Sequence, residues 1–109
     1  MTPFTQQVIA VIKGIPPGFV MTYGQIAAEA GSPRAARQVV RILHAMSEKH
    51  GLPWHRVING KGEIAIGQDE GRFMQRVLLE EEGVYVSPAG VIDLEEYRFV
   101  PDERPVDFT

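Results

Sequence analysis

The stretch LPWHRVING, Leu52 to Gly60, holds the only tryptophan of the chain, Trp54, directly before His55 and Arg56. A loop of this polarity usually directs its side chains towards solvent or a ligand. The chain contains no cysteine, which excludes disulfides, thiolate metal sites and any thiol nucleophile. Its histidines form no recognisable metal motif, so we expect neither a metal nor a cofactor. The chemistry open to this loop is therefore binding rather than transfer to a sulfur atom.

Charged residues divide the chain into a basic and an acidic part. The net charge is −3, yet residues 13–62 contain seven basic and two acidic residues. Residues 63–109 contain 12 acidic residues and four arginines. This distribution indicates one face for a polyanion and another for water or a protein partner. A chance division of surface charge would produce the same counts.

The length and composition predict a single domain over residues 1–109. With 44% hydrophobic and 23% charged residues, the chain is typical of soluble globular proteins. No apolar run approaches the roughly 20 residues of a membrane span, and the N-terminus carries no export signal. We therefore expect a cytoplasmic protein with no membrane partner.

Helical signals dominate the first half of the chain. Apolar spacing predicts a helix from Pro3 to Lys13. Thr22 is expected to cap a second helix, Tyr23 to Ala30. A third helix is predicted to have Ser32 as its cap and Pro33 as its first residue. Two helices joined by a short glycine turn are typical of a helix-turn-helix, and also of an ordinary αα-hairpin.

Two turns with short β-prone flanks are predicted in the second half. The turn over Asn59 to Gly62 is typical of a wing or small hairpin, and the segment SPAG, Ser87 to Gly90, predicts another hairpin. Between them we predict a helix that has Phe73, Val77 and Leu78 as its apolar stripe and a glycine after its end.

Three motifs give the chain a resemblance to a known family. PWHRV resembles PCHRV, the active-site motif of the O6-alkylguanine-DNA alkyltransferases, with Trp54 in place of the cysteine that accepts the alkyl group. TYGQIA and GSPRAARQV look like the family's helix-turn-helix, and LLEEEG looks like the helix end that supplies its buried glutamate. The chain is thus similar to the alkyltransferase-like proteins. The resemblance implies a mainly α, small winged-helix-like domain with a helix-turn-helix and short β-hairpins, as in the C-terminal domain of the enzymes.

The resemblance also implies roles for residues by their position. Arg37 matches the arginine that fills the gap left by a flipped nucleotide, and Tyr23 matches the tyrosine that rotates the nucleotide outward. His55 and Glu82 match the pair that polarises the cysteine; with Arg56 they are expected to support the loop as a buried hydrogen-bonded group. The expected DNA contacts are Thr22, Tyr23, Gln25, Arg34, Ala36, Arg37, Arg41, Asn59 and Lys61. The expected base pocket comprises Tyr23, Pro53, Trp54, Val57, Ile66, Gly67 and Gln68.

Some positions depart from the family's pattern. Met46 stands where the family has an asparagine hinge, and Val40 and Arg41 stand where its recognition helix has glycines. The loop between Gly62 and Glu82 is predicted to be about one residue longer than in the enzymes. These departures concern the groove contacts, the hinge and the size of the pocket.

The expected function is that of a non-enzymatic sensor of O6-alkylguanine in duplex DNA. As a monomer it would bind the minor groove, flip the base against Trp54 and flag the lesion for nucleotide excision repair proteins. An indole cannot accept an alkyl group by direct transfer, but it can line a pocket in which each buried methylene contributes about 0.8 kcal/mol. Three alternatives stay open: a helix-turn-helix transcription regulator, an enzyme in which His55 and Glu82 activate water, and a purely structural Trp54.

Overall fold

The computed structural model describes residues 1–64 and 69–101 and confirms the mainly α fold class. Within these residues the helices are α1 (Pro3–Lys13), α2 (Tyr23–Glu29), α3 (Ala36–His50), α4 (Asp69–Glu81) and the short α5 (Leu94–Tyr97). Two short strands, β1 (Met21–Thr22) and β2 (Val57–Ile58), and a 3₁₀ turn (Trp54–Arg56) complete the described elements.

The first helix has the predicted bounds because a backbone N–H of its first turn finds a hydrogen-bond partner in a neighbouring residue. The Thr2 hydroxyl accepts the backbone N–H of Thr5 at 3.1 Å, and Pro3 occupies the first turn, where a missing N–H costs little. Val8, Ile9 and Ile12 are buried on one side of the helix. That side packs against α2 and α3, so the three helices form one layered unit.

The second helix forms close to its predicted bounds, whereas the predicted start of α3 is wrong. Ser32 does not cap α3: its carbonyl accepts the N–H of Ala35 at 3.0 Å and closes a turn over Pro33 and Arg34. Proline fits the second position of such a turn as well as it fits the first turn of a helix. The helix begins only at Ala36, and Ala35 provides no side-chain cap.

The described β structure is a parallel pair rather than hairpins. Met21–Thr22 pairs with Val57–Ile58, so the two strands come from distant parts of the sequence. The turn at Asn59–Gly62 does form, through a 3.0 Å hydrogen bond from the N–H of Gly62 to the carbonyl of Asn59. Its following residue, Glu63, accepts the N–H of Asn59 across the turn at 3.4 Å and also bridges to Val91, and the rest of the predicted second strand, residues 65–68, lies outside the described residues. The pairing of β2 with β1 is therefore a tertiary contact that the local turn signal does not indicate.

The Ser87–Gly90 turn also forms without a hairpin among the described residues, closed by a 2.8 Å hydrogen bond from the N–H of Gly90 to the carbonyl of Ser87. The predicted end of α4 is confirmed. Gly83 follows the helix with φ +88°, and the N–H of Val84 donates to the carbonyl of Leu79 at 3.0 Å.

The buried face of α4 differs from the predicted apolar stripe. Phe73 is 64% exposed, whereas Gln75 and Leu79 are both 0% exposed. Val77 and Leu78 are half-buried. The prediction failed because it counted only apolar residues, and the helix buries an amide that finds backbone partners in the neighbouring loop.

The core consists of two clusters joined by β2. The helix cluster contains Val8, Ile9, Ile12, Ile15, Met21, Ile26, Ala27, Val39, Ile42, Leu43, Leu52 and Val57. The C-terminal cluster contains Val20, Ile58, Ile64, Leu79, Val84, Val86 and Ile92. Adjacent residues of a strand point to opposite sides. Val57 and Ile58 consequently enter different clusters, and the loop that leads into β2 is held between them.

Candidate nucleic-acid interface and pocket

Trp54 lies at the edge of an open groove. It begins the 3₁₀ turn directly after Pro53, and its half-buried ring packs against the helix cluster. We call the adjacent cavity, about 380 Å³ in volume, the Trp54 groove; its lining is Leu43, His44, Ser47, Trp54 and Gly71. The Ser47 hydroxyl donates to the carbonyl of Leu43, which turns it back onto its own helix. The flat indole can therefore contact an apolar group or a ring held in the groove.

A network of charged side chains supports the loop from the other side. His55 Nε2 and Glu82 Oε2 are 2.8 Å apart. Arg56 donates from Nε to Glu82 Oε1 at 3.0 Å, from Nη2 to Oε2 at 2.6 Å, and from Nη1 to the carbonyl of Ile15 at 2.9 Å. The N–H of Gly18 donates to Glu82 Oε1 at 3.0 Å. This Glu82 network ties the loop to the segment between α1 and β1.

Glu82 remains ionised in this network. Burial by itself would raise its pKa, but hydrogen bonds from Arg56, His55 and the N–H of Gly18 outweigh burial and lower the pKa to about 2. The side chains of His55, Arg56 and Glu82 are 12%, 16% and 16% exposed, so they are largely rather than completely buried. The expected buried hydrogen-bonded group is present, with a remaining contact to solvent.

The side chain of Gln75 binds the backbone of the same loop, a contact that was not predicted from the sequence. Its Nε2 donates to the carbonyl of His55 at 3.2 Å and to the carbonyl of Val57 at 3.1 Å. A polar residue within an apolar helical face is the sequence signal that could have indicated this contact.

The predicted arginine contacts lie on the outer side of the α2–α3 unit. Arg34 is exposed in the turn before α3, and Arg37 and Arg41 are exposed on its first two turns. No carboxylate within residues 1–64 and 69–101 forms an ion pair with any of these three arginines. Ala36 is half-buried at the start of the helix, and Lys61 is exposed in the turn after β2. Unpaired guanidinium groups of this kind are available to a polyanion.

Three residues that were predicted to contact DNA form hydrogen bonds inside the protein with their polar atoms. Thr22 and Gln25 form a capping box at the start of α2, with hydrogen bonds of 3.0 and 3.3 Å. Gln25 Nε2 also donates to the carbonyl of Phe99. Asn59 Oδ1 accepts the N–H groups of Lys61 and Glu63, both at 2.9 Å. In the protein alone these three side chains stabilise local structure, and their contacts with DNA stay a prediction.

The predicted pocket residues are only partly brought together. Val57 is 0% exposed and belongs to the helix cluster, so it supports the wall from behind rather than lining the groove. Pro53 and Tyr23 are half-buried near the surface, and neither belongs to the groove lining. Ile66, Gly67 and Gln68 lie outside the described residues. His44, Ser47 and Gly71 were not predicted from the sequence, because only the tertiary fold brings these residues to the same groove as Trp54.

Tyr23 is half-buried at the start of α2. Its ring packs partly against the helix cluster at the start of α2. Burial raises the pKa of the Tyr23 hydroxyl above its ordinary value. A neutral phenol can approach a phosphate without charge repulsion.

In the part of the chain that the structure describes, none of the helices is both long and apolar enough to span a membrane. None of the histidine, aspartate and glutamate side chains in the same part of the chain gather in a group of three or more that could hold a metal ion.

Residues 3–84 match the family model of the 6-O-methylguanine DNA methyltransferase, DNA binding domain. The chain belongs to this family. The match includes α1 to α4, the Trp54 loop and Glu82. It confirms the resemblance seen in PWHRV and in the helix-turn-helix motifs.

Two family members are similar to this chain over most of its length. A DNA base-flipping protein of Escherichia coli (strain K12) is 50% identical over 97 residues, which are 88% of this chain and 74% of the relative. Alkyltransferase-like protein 1 of Schizosaccharomyces pombe is 37% identical over 106 residues, which cover 93% of this chain and 98% of the relative.

A solved structure shares the fold over nearly the whole chain. It is the crystal structure of Schizosaccharomyces pombe Atl1 in complex with damaged DNA containing O6-carboxymethylguanine. The match has a TM-score of 0.80 at 39% identity and covers 93% of this chain and 98% of that chain. The fold of this family member is therefore that of an alkyltransferase-like DNA-binding domain.

Proposed function

We propose that this family member is a non-enzymatic sensor of O6-alkylguanine in duplex DNA. The observation that carries the proposal is the position of Trp54. It directly precedes the His55–Glu82 pair and borders an open groove, in a chain that has no cysteine. No thiol is available to take an alkyl group, whereas an indole ring and an apolar wall can hold one.

The outer side of the α2–α3 unit is the proposed DNA face. Arg37 and Arg41 are one turn apart on α3, so their side chains project from the same side of the helix. The start of α3 has no side-chain cap, which leaves backbone N–H groups suited to a phosphate. Small Ala36 permits close approach to a minor groove, and Arg37 is proposed to fill the gap left by the flipped nucleotide.

The Trp54 groove is the proposed site of the flipped base. Trp54 and Leu43 supply apolar surface for the alkyl group, and aromatic faces also suit a base that has left the stack. The cavity of about 380 Å³ is open on one side, so longer alkyl chains can extend towards solvent. Tyr23, half-buried at the start of α2, is proposed to contact the backbone beside the flipped nucleotide.

The Glu82 network supports binding without transfer. A carboxylate whose pKa is about 2 is a weak base, and both of its oxygens already accept hydrogen bonds from Arg56. It is therefore poorly suited to help His55 remove a proton from water. The network instead fixes the loop that carries Trp54, which favours the sensor over the hydrolytic alternative.

The test uses matched duplexes that contain guanine or O6-methylguanine at one position, at a stated salt concentration of about 0.1 M. The sensor is expected to bind the methylated duplex roughly tenfold more tightly or better, whatever the flanking sequence. Mass spectrometry of both components should find the methyl group still on the oligonucleotide. A methyl adduct on the protein, or a demethylated oligonucleotide, would exclude a pure sensor. Preference for one undamaged sequence would favour the transcription regulator.

A protein that leaves the lesion in place needs a partner to remove it, and we propose nucleotide excision repair proteins for this role. The exposed acidic side chains of the C-terminal half, Glu80, Glu81, Glu95 and Glu96, are the candidate docking residues. Reversing the charges of Glu95 and Glu96 together should weaken capture of a repair protein on the damaged duplex and leave DNA affinity unchanged. A monomeric state, testable by sedimentation, and a cytoplasmic location remain predictions.

A further inference from the structure

Gln75 is the buried polar residue that the proposed function does not yet use. It is 0% exposed, and among the described polar side chains only Thr22 is also buried. Burying a primary amide costs free energy unless its polar atoms are paired, and an apolar side chain would fill the same space without that cost. The presence of an amide at this position therefore calls for a specific reason.

The donor half of the amide supplies that reason. Nε2 carries two hydrogens, and two carbonyls accept from it: that of His55 at 3.2 Å and that of Val57 at 3.1 Å. These carbonyls stand on either side of Arg56, where the 3₁₀ turn passes into β2. The Glu82 network holds the side chains of the same segment, and Gln75 holds its backbone.

The acceptor half of the amide has no comparable use in the part of the chain that the structure describes. There, Gln75 Oε1 is buried and has no hydrogen-bond partner. A buried carbonyl oxygen without a partner is costly, so the two donated hydrogen bonds must offset this cost as well. The arrangement favours a residue selected for its N–H groups and not for its shape or its oxygen.

We propose that Gln75 is a positioning residue that sets the orientation of Trp54 relative to α3. Trp54 begins the short turn, and Gln75 binds the carbonyls of His55 within it and of Val57 directly after it. Two backbone hydrogen bonds close the turn internally: from the N–H of Arg56 to the carbonyl of Pro53 at 3.0 Å, and from the N–H of Val57 to the carbonyl of Trp54. Without the hydrogen bonds from Gln75 the turn relaxes, and the indole no longer faces Leu43 across the groove. The consequence for lesion preference rests on the proposed function; the effect on Trp54 itself does not.

The experiment exploits the single tryptophan of the chain, whose fluorescence reports on the loop alone. Gln75→Met removes the amide and keeps the side-chain length, and Gln75→Leu is a second amide-free variant in case the first fails to fold. Ile92→Ala is the stability control, because Ile92 is buried in the C-terminal cluster and its backbone N–H donates to the carbonyl of Gly62, outside the turn that Gln75 holds. Each protein is first measured without DNA for emission maximum and acrylamide quenching, then titrated with the matched duplexes.

The amide-free variants are expected to shift the Trp54 emission and raise its quenching. They should also lose roughly tenfold of the preference for O6-methylguanine, because the released indole must then be ordered when the base binds. Ile92→Ala should lower the melting temperature and change neither readout. Unchanged emission in a folded amide-free variant, or an equal change in Ile92→Ala, would overturn the proposal. If the wild type shows no lesion preference, the proposed function fails, and the emission experiment still decides the role of Gln75.

Discussion

Arg34, Arg37 and Arg41 are exposed and form no ion pair within the described residues, whereas Arg56 donates to Glu82 and to the carbonyl of Ile15. The two groups belong to the two regions that the proposed function joins: the α2–α3 face and the Trp54 loop. On the face, charged side chains are left available to a partner. In the loop, the side chains of His55 and Arg56 and the carbonyls of His55 and Val57 form hydrogen bonds within the protein.

This difference separates affinity from recognition. Exposed arginines attract any nucleic acid, but they do not hold a binding site in a fixed geometry. A flat ring that must receive one altered base needs a fixed position, and the loop obtains it from buried hydrogen bonds to side chains and backbone. Substitutions in the loop should therefore affect stability and lesion preference, and substitutions on the face should affect DNA binding with little change in stability.

Glu82→Gln should produce the largest effect, because it leaves the guanidinium of Arg56 largely buried without a carboxylate. We expect the free energy of unfolding to fall by about 3 kcal/mol, measured by urea denaturation. Glu81→Gln, at the exposed neighbouring position, is the matched control and should change it by less than about 0.5 kcal/mol. Equal losses in both variants would contradict a specific role for Glu82.

Acid should weaken the same contact. The pKa of Glu82 in the folded protein is about 2, below the ordinary value of 4.5. The stabilisation by ionised Glu82 is thus fully present above pH 4.5 and is lost as the pH falls towards 2. The difference between these two pKa values corresponds to about 3 kcal/mol of stability. Because Glu82 is partly exposed to solvent, we expect a contribution of about 2 kcal/mol. Wild type and Glu82→Gln should converge in stability as the pH is lowered; a constant difference would exclude this linkage.

Trp54→Ala tests the recognition side of the comparison. We expect roughly 30-fold weaker binding to the O6-methylguanine duplex, about 2 kcal/mol, because the apolar wall is lost. Binding to the undamaged duplex should change by less than about threefold. Trp54→Phe, which retains an aromatic face, should recover part of the preference. Parallel losses on both duplexes would assign Trp54 to the fold and not to the lesion.

Arg37→Ala tests the face, with Arg41→Ala as the matched control one turn away on the same helix. Arg37→Ala should reduce affinity for the methylated duplex roughly tenfold and for the undamaged duplex much less, because only a flipped nucleotide leaves a gap to fill. Arg41→Ala should weaken both duplexes equally, by about threefold, and reduce the salt dependence. If the two variants behave alike, Arg37 contacts only phosphate.

Gln25→Ala should have the smallest effect, and it tests whether a hydrogen-bonded residue of α2 contributes to stability without contributing to DNA affinity. It breaks the capping box of α2 and the bond to the carbonyl of Phe99, which should lower the free energy of unfolding by about 1 kcal/mol. Affinity for either duplex, measured well below the melting temperature, should not change. A selective loss of DNA affinity would instead support the predicted contact between Gln25 and DNA.

Sequence-based prediction succeeded where the signal was local. The first helix has its predicted bounds because Thr2 and the spacing of Val8, Ile9 and Ile12 act within a few residues. It failed where two local outcomes were compatible with the same residues: Pro33 suits a turn as well as a helix start, and Ser32 closes that turn. At Asn59–Gly62 the predicted turn forms, but local residues did not indicate that β2 also pairs with the distant strand β1.

The residue types alone determined that this chain has no thiol to accept an alkyl group and that a tryptophan occupies the loop before His55. Composition also separated the basic part from the acidic part. Only the tertiary structure decided which groups come together: Glu82 with Arg56, Gln75 with the carbonyls around Arg56, and Trp54, Leu43 and Gly71 around one groove. The reason is that these residues are at least 11 positions apart in the sequence, and their proximity depends on how α4 packs on the 3₁₀ turn and how Trp54 packs on the helix cluster.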